Sequence, residues 1–182
     1  MTRIVLIGIG VLAVSTSALA QAPAPEIERA LAAAPRQMKE GATVIKWKAD
    51  NTYDTVKKGT NRLVCYDWTG ELGMQPFAVQ CTSIANLDRV AQNRKFAAIA
   101  DKTARQAALD AAEKDGTRVK PEYGSVWLTM SGPDQEHARI HTTVAVPGAT
   151  TQSTGLPDNN KQGGVWIMNA GTTTAHLMTP GS

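Results

Sequence analysis

Histidine, cysteine and aromatic residues are scarce in this chain, and the common signatures of catalysis are missing. Its 182 residues include only 3 His and 2 Cys, and 5% are aromatic. Two cysteines are too few to close a zinc site without histidine, and there is no Cys-x-x-Cys to act as a redox motif. After residue 20 the chain holds no Gly-x-Ser-x-Gly, Ser-x-x-Lys, His-Glu-x-x-His or Walker-type loop. The familiar hydrolase, metalloprotease and nucleotide-binding patterns are therefore absent, and no catalytic residue is assigned. Neither charge dominates, with 19 basic against 16 acidic residues. So weak a balance argues against a nucleic-acid partner. No internal repeat occurs, and no heptad persists long enough for a coiled coil.

Long apolar runs are missing too, except at the start. The segment MTRIVLIGIGVLAVSTSALA has one basic residue, Arg3, an apolar run from Ile4 to Val14, and the small-residue exit Ala18-Leu19-Ala20. This is the layout of a secretory signal peptide. The run is 11 residues, which rises about 16 Å as a helix, whereas a bilayer span needs about 20 residues. No transmembrane segment is expected. Cleavage after Ala20 leaves 162 residues carrying 18 basic and 16 acidic side chains, a net charge of +2. That length suits one domain, residues 26–182, behind a short Pro/Ala tether at 21–25. The destination is outside the cytoplasm. In that oxidising setting Cys65 and Cys81 read first as a structural disulfide, with two buried thiols as the alternative.

Local patterns then set the elements. Ile27, Ala30, Leu31 and Ala34 fall at helical spacing over 26–34, and Pro35 ends the run. TVIKW (43–47) is a strand, and TYDTV and RLVCYDW read as a hairpin about KKGTN. In 77–81, Phe77, Val79 and Cys81 share one face by alternation. From Ile84 to Asp115 there is no Gly or Pro, which predicts helix, interrupted near 101–103 where Thr103 to Gln106 fits a capping box. The alanines after it suggest close packing on a neighbour. Strands are expected at 126–130, 140–146, 165–168 and 175–178, with a long structureless loop at 148–164. The sum is an α+β fold: a mainly antiparallel sheet with the helical segment, about 84–115, packed on one face.

The candidate sites are few. His137 and His141, in EHARIH, would share a helix face, but the β-branched run after them favours a strand, which separates them by about 13 Å. Alternation puts His141 on the face away from Ile140, where His176 could reach it if the last strand pairs alongside. A zinc or copper site from His141 and His176, with His137 or Glu136 contributing, is one expectation, set against ordinary hydrogen-bonding histidines. A hydrolase triad drawn from Ser131 or Ser153, His141 or His176, and Asp134 or Asp158 is another, weaker for lack of any linking motif. Trp47 shares a face with Ile45 and belongs to the core. Trp127 falls opposite Val126, Leu128 and Met130, so it is a candidate stacking surface for a small molecule, glycan or peptide.

The segments GSVWLTMSGP, STGLP and NAGTTTAHLMTP, mostly in the C-terminal third, resemble those of uncharacterised, signal-bearing secreted bacterial proteins. The resemblance implies bacterial export and carries no residue roles. The expected function is non-enzymatic binding or an accessory role, with no cofactor unless zinc or copper is held.

Overall fold

Short, β-branched stretches separated by turn residues build one sheet, and the turns decide its order. In the computed structural model, which describes residues 24–180, strand β1 (Thr43–Trp47) turns back into β2 (Tyr53–Lys57). The turn is made by Asp50, whose carboxylate accepts from Thr52 N–H (2.9 Å), and by Asn51 at φ 64°. Short Asn and Asp side chains are the ones that tolerate this backbone. The expected hairpin about KKGTN is therefore corrected: β2 pairs with β1, and KKGTN crosses over to the other side of β1. There the Gly41 carbonyl accepts from the N–H groups of Thr60 (2.8 Å) and Asn61 (2.9 Å). Strand β3 (Leu63–Asp67) consequently lies parallel to β1, with Thr43 opposite Val64.

All other pairings are antiparallel. Strands β4 (Phe77–Ser83), β5 (Val126–Gly132), β6 (Arg139–Ala145), β7 (Trp166–Met168) and β8 (His176–Met178) complete an eight-stranded sheet ordered β2-β1-β3-β4-β5-β6-β8-β7. The fold is α+β. Cys65 and Cys81 face each other across β3 and β4, with sulfurs 2.10 Å apart.

One face of the sheet carries Val44, Cys65, Phe77, Val79 and Cys81, packed under Ile27, Ala30, Leu31 and Ala34. Helix α1 (Ala24–Ala30) begins inside the stretch read as tether, and tight turns carry its apolar side on to Ala34. The proposed signal segment lies outside the described residues. Arg29 fastens this layer, donating to Asp67 at 2.6 Å with its guanidinium over the Phe77 ring. A single turn of helix, α2 (Arg36–Lys39), follows Pro35.

The opposite face carries Ile45, Val64 and Tyr66 under helix α3 (Leu87–Ala97), which contributes Leu87 and Val90. Helix α4 (Lys102–Lys114) starts one residue before Thr103, so the expected cap shifts: Asp101, in extended conformation, accepts from Ala104 N–H at 2.7 Å. The alanines of α4 do not pack as expected either, because only Ala112 of that helix is buried. The 148–164 stretch is likewise folded rather than structureless. Thr150 and Ser153 cap a turn of helix, α5 (Thr151–Thr154), reciprocally, and Leu156 packs on Val146, Ala149 and Ile167.

Two outcomes test this architecture. A Cβ on Gly59 would sit 2.3 Å from the Gly41 carbonyl oxygen, so Gly59→Ala should lower unfolding free energy by about 1–3 kcal/mol or more. Replacing both Cys65 and Cys81 by Ala should lower it by about 3 kcal/mol, the chain-entropy value for a loop of this size. Urea unfolding measures both, and an unchanged midpoint in either variant refutes the corresponding contact.

Candidate functional site

Alternation along three neighbouring strands places Trp127 and Thr129 of β5, His141, Thr143 and Ala145 of β6, and His176 of β8 on the α3 face. Helix α3 covers only part of it. Its Leu87 and Val90 sit on the β1–β3 side of the sheet. Arg89 and Asn93, one turn apart, instead edge a cleft of about 170 Å³ whose floor and wall include Trp127, Thr129, Thr143 and His176.

Several polar groups in this cleft, Gln80, Thr129 and His176 among them, are held by partners behind them. The wholly buried Tyr66 donates its hydroxyl to Gln80 Oε1 (2.5 Å), and Gln80 Nε2 donates to Thr129 Oγ1 (2.7 Å). Burial, followed by the negative charge of Glu71, pushes the Tyr66 phenol up, so it stays a donor. His176 Nδ1 lies 2.8 Å from the Thr174 carbonyl. A carbonyl can only accept, so Nδ1 carries the proton and Nε2 is left for other use.

The charged wall is a buried network. Arg89, 3% exposed, donates to the Val119 carbonyl and to the hydroxyls of Thr173 (3.0 Å) and Thr174 (2.7 Å). Those threonines donate in turn to Glu113, which also accepts from Thr173 N–H at 3.1 Å. Beside it Arg118 donates to Gln92 Oε1 (2.7 Å) and Asn93 Oδ1 (2.6 Å), with its guanidinium over the Phe96 ring. Burial chiefly, and then the charge of Arg118, lower Arg89 to about 10, partly offset by Glu113. It remains a cation at neutral pH.

Of the residues singled out from sequence, Trp127 and His176 come together in this cleft. His141 does not join them. Strand β8 does pair beside β6, but the register sets His176 against Ala145, four residues along from His141, or about 13 Å. His137 sits in the exposed turn before β6, its Nδ1 2.8 Å from Asp134. The three histidines are thus not gathered, and among the described residues no three His, Cys, Asp or Glu side chains lie close enough to share a metal ion. Of the triad candidates, Ser153 caps α5, Asp134 accepts from His137 N–H and Asp158 accepts from Asn159, while Ser131 lies on the His141 side of the sheet, one same-face pair along the β5–β6 ladder. Trp47 packs on the core beside Ile45, with Arg94 over its ring.

Sequence reasoning passed over Arg89, Asn93, Gln80 and Arg118. The available signal was slight: Arg89 and Asn93 fall at i and i+4 beside the apolar stripe of α3, a spacing that equally describes a solvated flank. No family model, curated protein or solved structure matches this chain.

The network makes a pH prediction. Burial pushes the Glu113 carboxyl up, but the hydrogen bonds from Thr173 and Thr174 and the charge of Arg89 outweigh it and hold Glu113 below its ordinary 4.5. A carboxyl lowered on folding stabilises the protein fully above its unfolded value, and that contribution disappears as pH falls through the folded one. The stability gap between wild type and Glu113→Gln, from urea unfolding, should therefore be largest near pH 7 and close below about pH 4.5. A gap independent of pH would contradict the network.

Proposed function

We propose that this chain is an exported bacterial protein that binds a small polar ring compound in the cleft beside Trp127, and that it acts by binding rather than by catalysis. The observation that carries the reading is the pairing in one cleft of a half-buried tryptophan with the hydroxyls of Thr129 and Thr143 and the imidazole of His176. An indole supplies a flat apolar surface at little entropic cost, while hydroxyl and imidazole groups orient a ligand by hydrogen bonds. At about 170 Å³ the cleft falls below the roughly 300–1,000 Å³ usual for drug-sized ligands. A single ring fits this scale better than a peptide or an extended glycan.

Export is supported by two independent features. The Cys65–Cys81 bridge suits an oxidising compartment. The basic, apolar and small-residue order of the first twenty residues suits secretion, and among the described residues no helix is long and apolar enough to cross a membrane. The periplasm is the compartment that joins both.

The test is a panel of monosaccharides and of small aromatic acids and alcohols, titrated against the exported protein while tryptophan emission and amide NMR shifts are followed. At least one member should bind saturably in the millimolar range or tighter, as expected for about a dozen heavy atoms. Shifts should centre on Trp127, Thr143 and His176, and Trp127→Ala should weaken that binding about tenfold, the scale of one lost stacking contact. A panel without effect, or a Trp127→Ala protein that binds equally well, would remove the cleft as the site.

A further inference from the structure

We infer that the cleft selects a ring bearing a carboxylate, held by Arg89 and the Asn93 amide at one end and by Trp127 along its face. The inference rests on the binding role of the cleft and names the chemistry of what it takes.

Arg89 occupies an unusual position for an arginine. Arg89 is 3% exposed, yet among the described residues no Asp or Glu approaches it within ion-pair distance. Buried cations are ordinarily paired with an anion, because desolvation costs several kcal/mol per ion. Here the protein supplies only neutral acceptors. Both hydrogens on Nη1 and one on Nη2 go to the Val119 carbonyl and to the Thr173 and Thr174 hydroxyls. The Nε hydrogen and the second Nη2 hydrogen have no acceptor among the described residues, and Arg89 edges the cleft. Two guanidinium N–H groups are what one carboxylate accepts in a bidentate pair.

The surrounding charge points the same way. Arg118 stands close enough to depress Arg89, and Glu113 is the one carboxylate that acts on both. Glu113 meets Arg89 only through the two threonine hydroxyls that lie between them. Two cations and one anion leave the wall with one uncompensated positive charge, which concentrates anions in a walled cleft.

Asn93 supplies a further donor. Its Oδ1 is taken by Arg118 at 2.6 Å, which fixes the amide so that Nδ2 is the group left over. On α3 it lies one turn beyond Arg89, so their Cβ atoms stand about 5–6 Å apart on one face. A carboxylate between them accepts from both, while the ring it belongs to extends toward Trp127 and Thr143.

The experiment compares matched pairs on the exported wild-type protein by calorimetry or NMR titration: galacturonate against galactose, and benzoate against benzyl alcohol. Each pair keeps its ring and exchanges carboxylate for hydroxymethyl, and comparing the pairs separates a sugar acid from an aromatic acid. The acid of at least one pair should bind tenfold or more tighter than its alcohol. Asn93→Ala should reduce that preference at least threefold, and Arg89→Lys, which keeps the charge but loses the fork, should reduce it further. Asn93→Ala keeps the test decisive if Arg89→Lys does not fold. An alcohol that binds as tightly as its acid, with Trp127 shifts intact, overturns the carboxylate and leaves the cleft standing. Acid preference unmoved by Asn93→Ala also overturns it. Absence of binding by all four compounds, with Trp127 unshifted, overturns the inference together with the reading it rests on.

Discussion

Strand β4 is enclosed on both faces, and the rest of the molecule follows from how that enclosure is achieved. Its first six residues are all buried. Phe77, Val79 and Cys81 point into the layer built by α1 and the turns after it, while Gln80 and Thr82 point toward α3. A strand buried this way needs apolar packing on one side and satisfied polar groups on the other. The second need is met by Tyr66 and Thr129 around Gln80, and by Asn86 and the Val126 carbonyl around Thr82. The disulfide to β3 fixes the register of this centre. With α3 committed to Ile45, Val64 and Tyr66, the β5, β6 and β8 part of the same face is left incompletely roofed, and the cleft occupies that remainder.

Where apolar packing ends, a polar network takes over the task of joining layers. Arg89 links α3 to the Val119 carbonyl and to Thr173 and Thr174 just before β8, Glu113 links α4 to the same threonines, and Arg118 ties the segment after α4 back to Gln92 and Asn93. No heptad or alanine seam is needed to hold α4, which explains how its alanines can stay largely exposed. Such a network fixes geometry more firmly than it stabilises, because the desolvation of two guanidinium groups offsets much of what the hydrogen bonds contribute.

Much of the fold was legible in local pattern. The alternation in 77–81, the helical spacing of Ile27 to Ala34, and the absence of Gly and Pro over 84–115 each have one strong structural solution, and each strand expected in the C-terminal third is present. The misread hairpin shows the limit. KKGTN and the stretch Lys48 to Asn51 are both turn-like, and the choice between them is made by the Gly41 carbonyl, a contact of KKGTN with a residue upstream of β1 that neither segment contains. The 148–164 stretch was misread because its order comes from Leu156 reaching Ile167 and from a capping box made of Thr and Ser, a weak signal in a Thr-rich segment. Alanine content alone likewise predicted packing along α4 that the structure provides only at Ala112.

The site was half legible for the same reason. Trp127 could be assigned to its face by period-2 alternation, since that depends on β5 alone. The position of His176 depends on the register between β6 and β8, and a shift of four residues along the pair would have brought it to His141 instead. What sets this register lies at and just beyond the strand ends: the Ala145 N–H donates to the Ser125 carbonyl, the Val146 N–H to the Ala175 carbonyl, and the Gly148 N–H of the following turn to the Thr172 carbonyl. Arg89 then holds Thr173 and Thr174 from across the cleft. The bonds that anchor the last strand are thus the ones that form the cleft wall, and His176 lines the cleft because the two residues carrying it in are the acceptors of a buried arginine. A residue whose role is to be the far end of such a network has no local signature, which is why Arg89 reads in the sequence as one more charge on the flank of a helix.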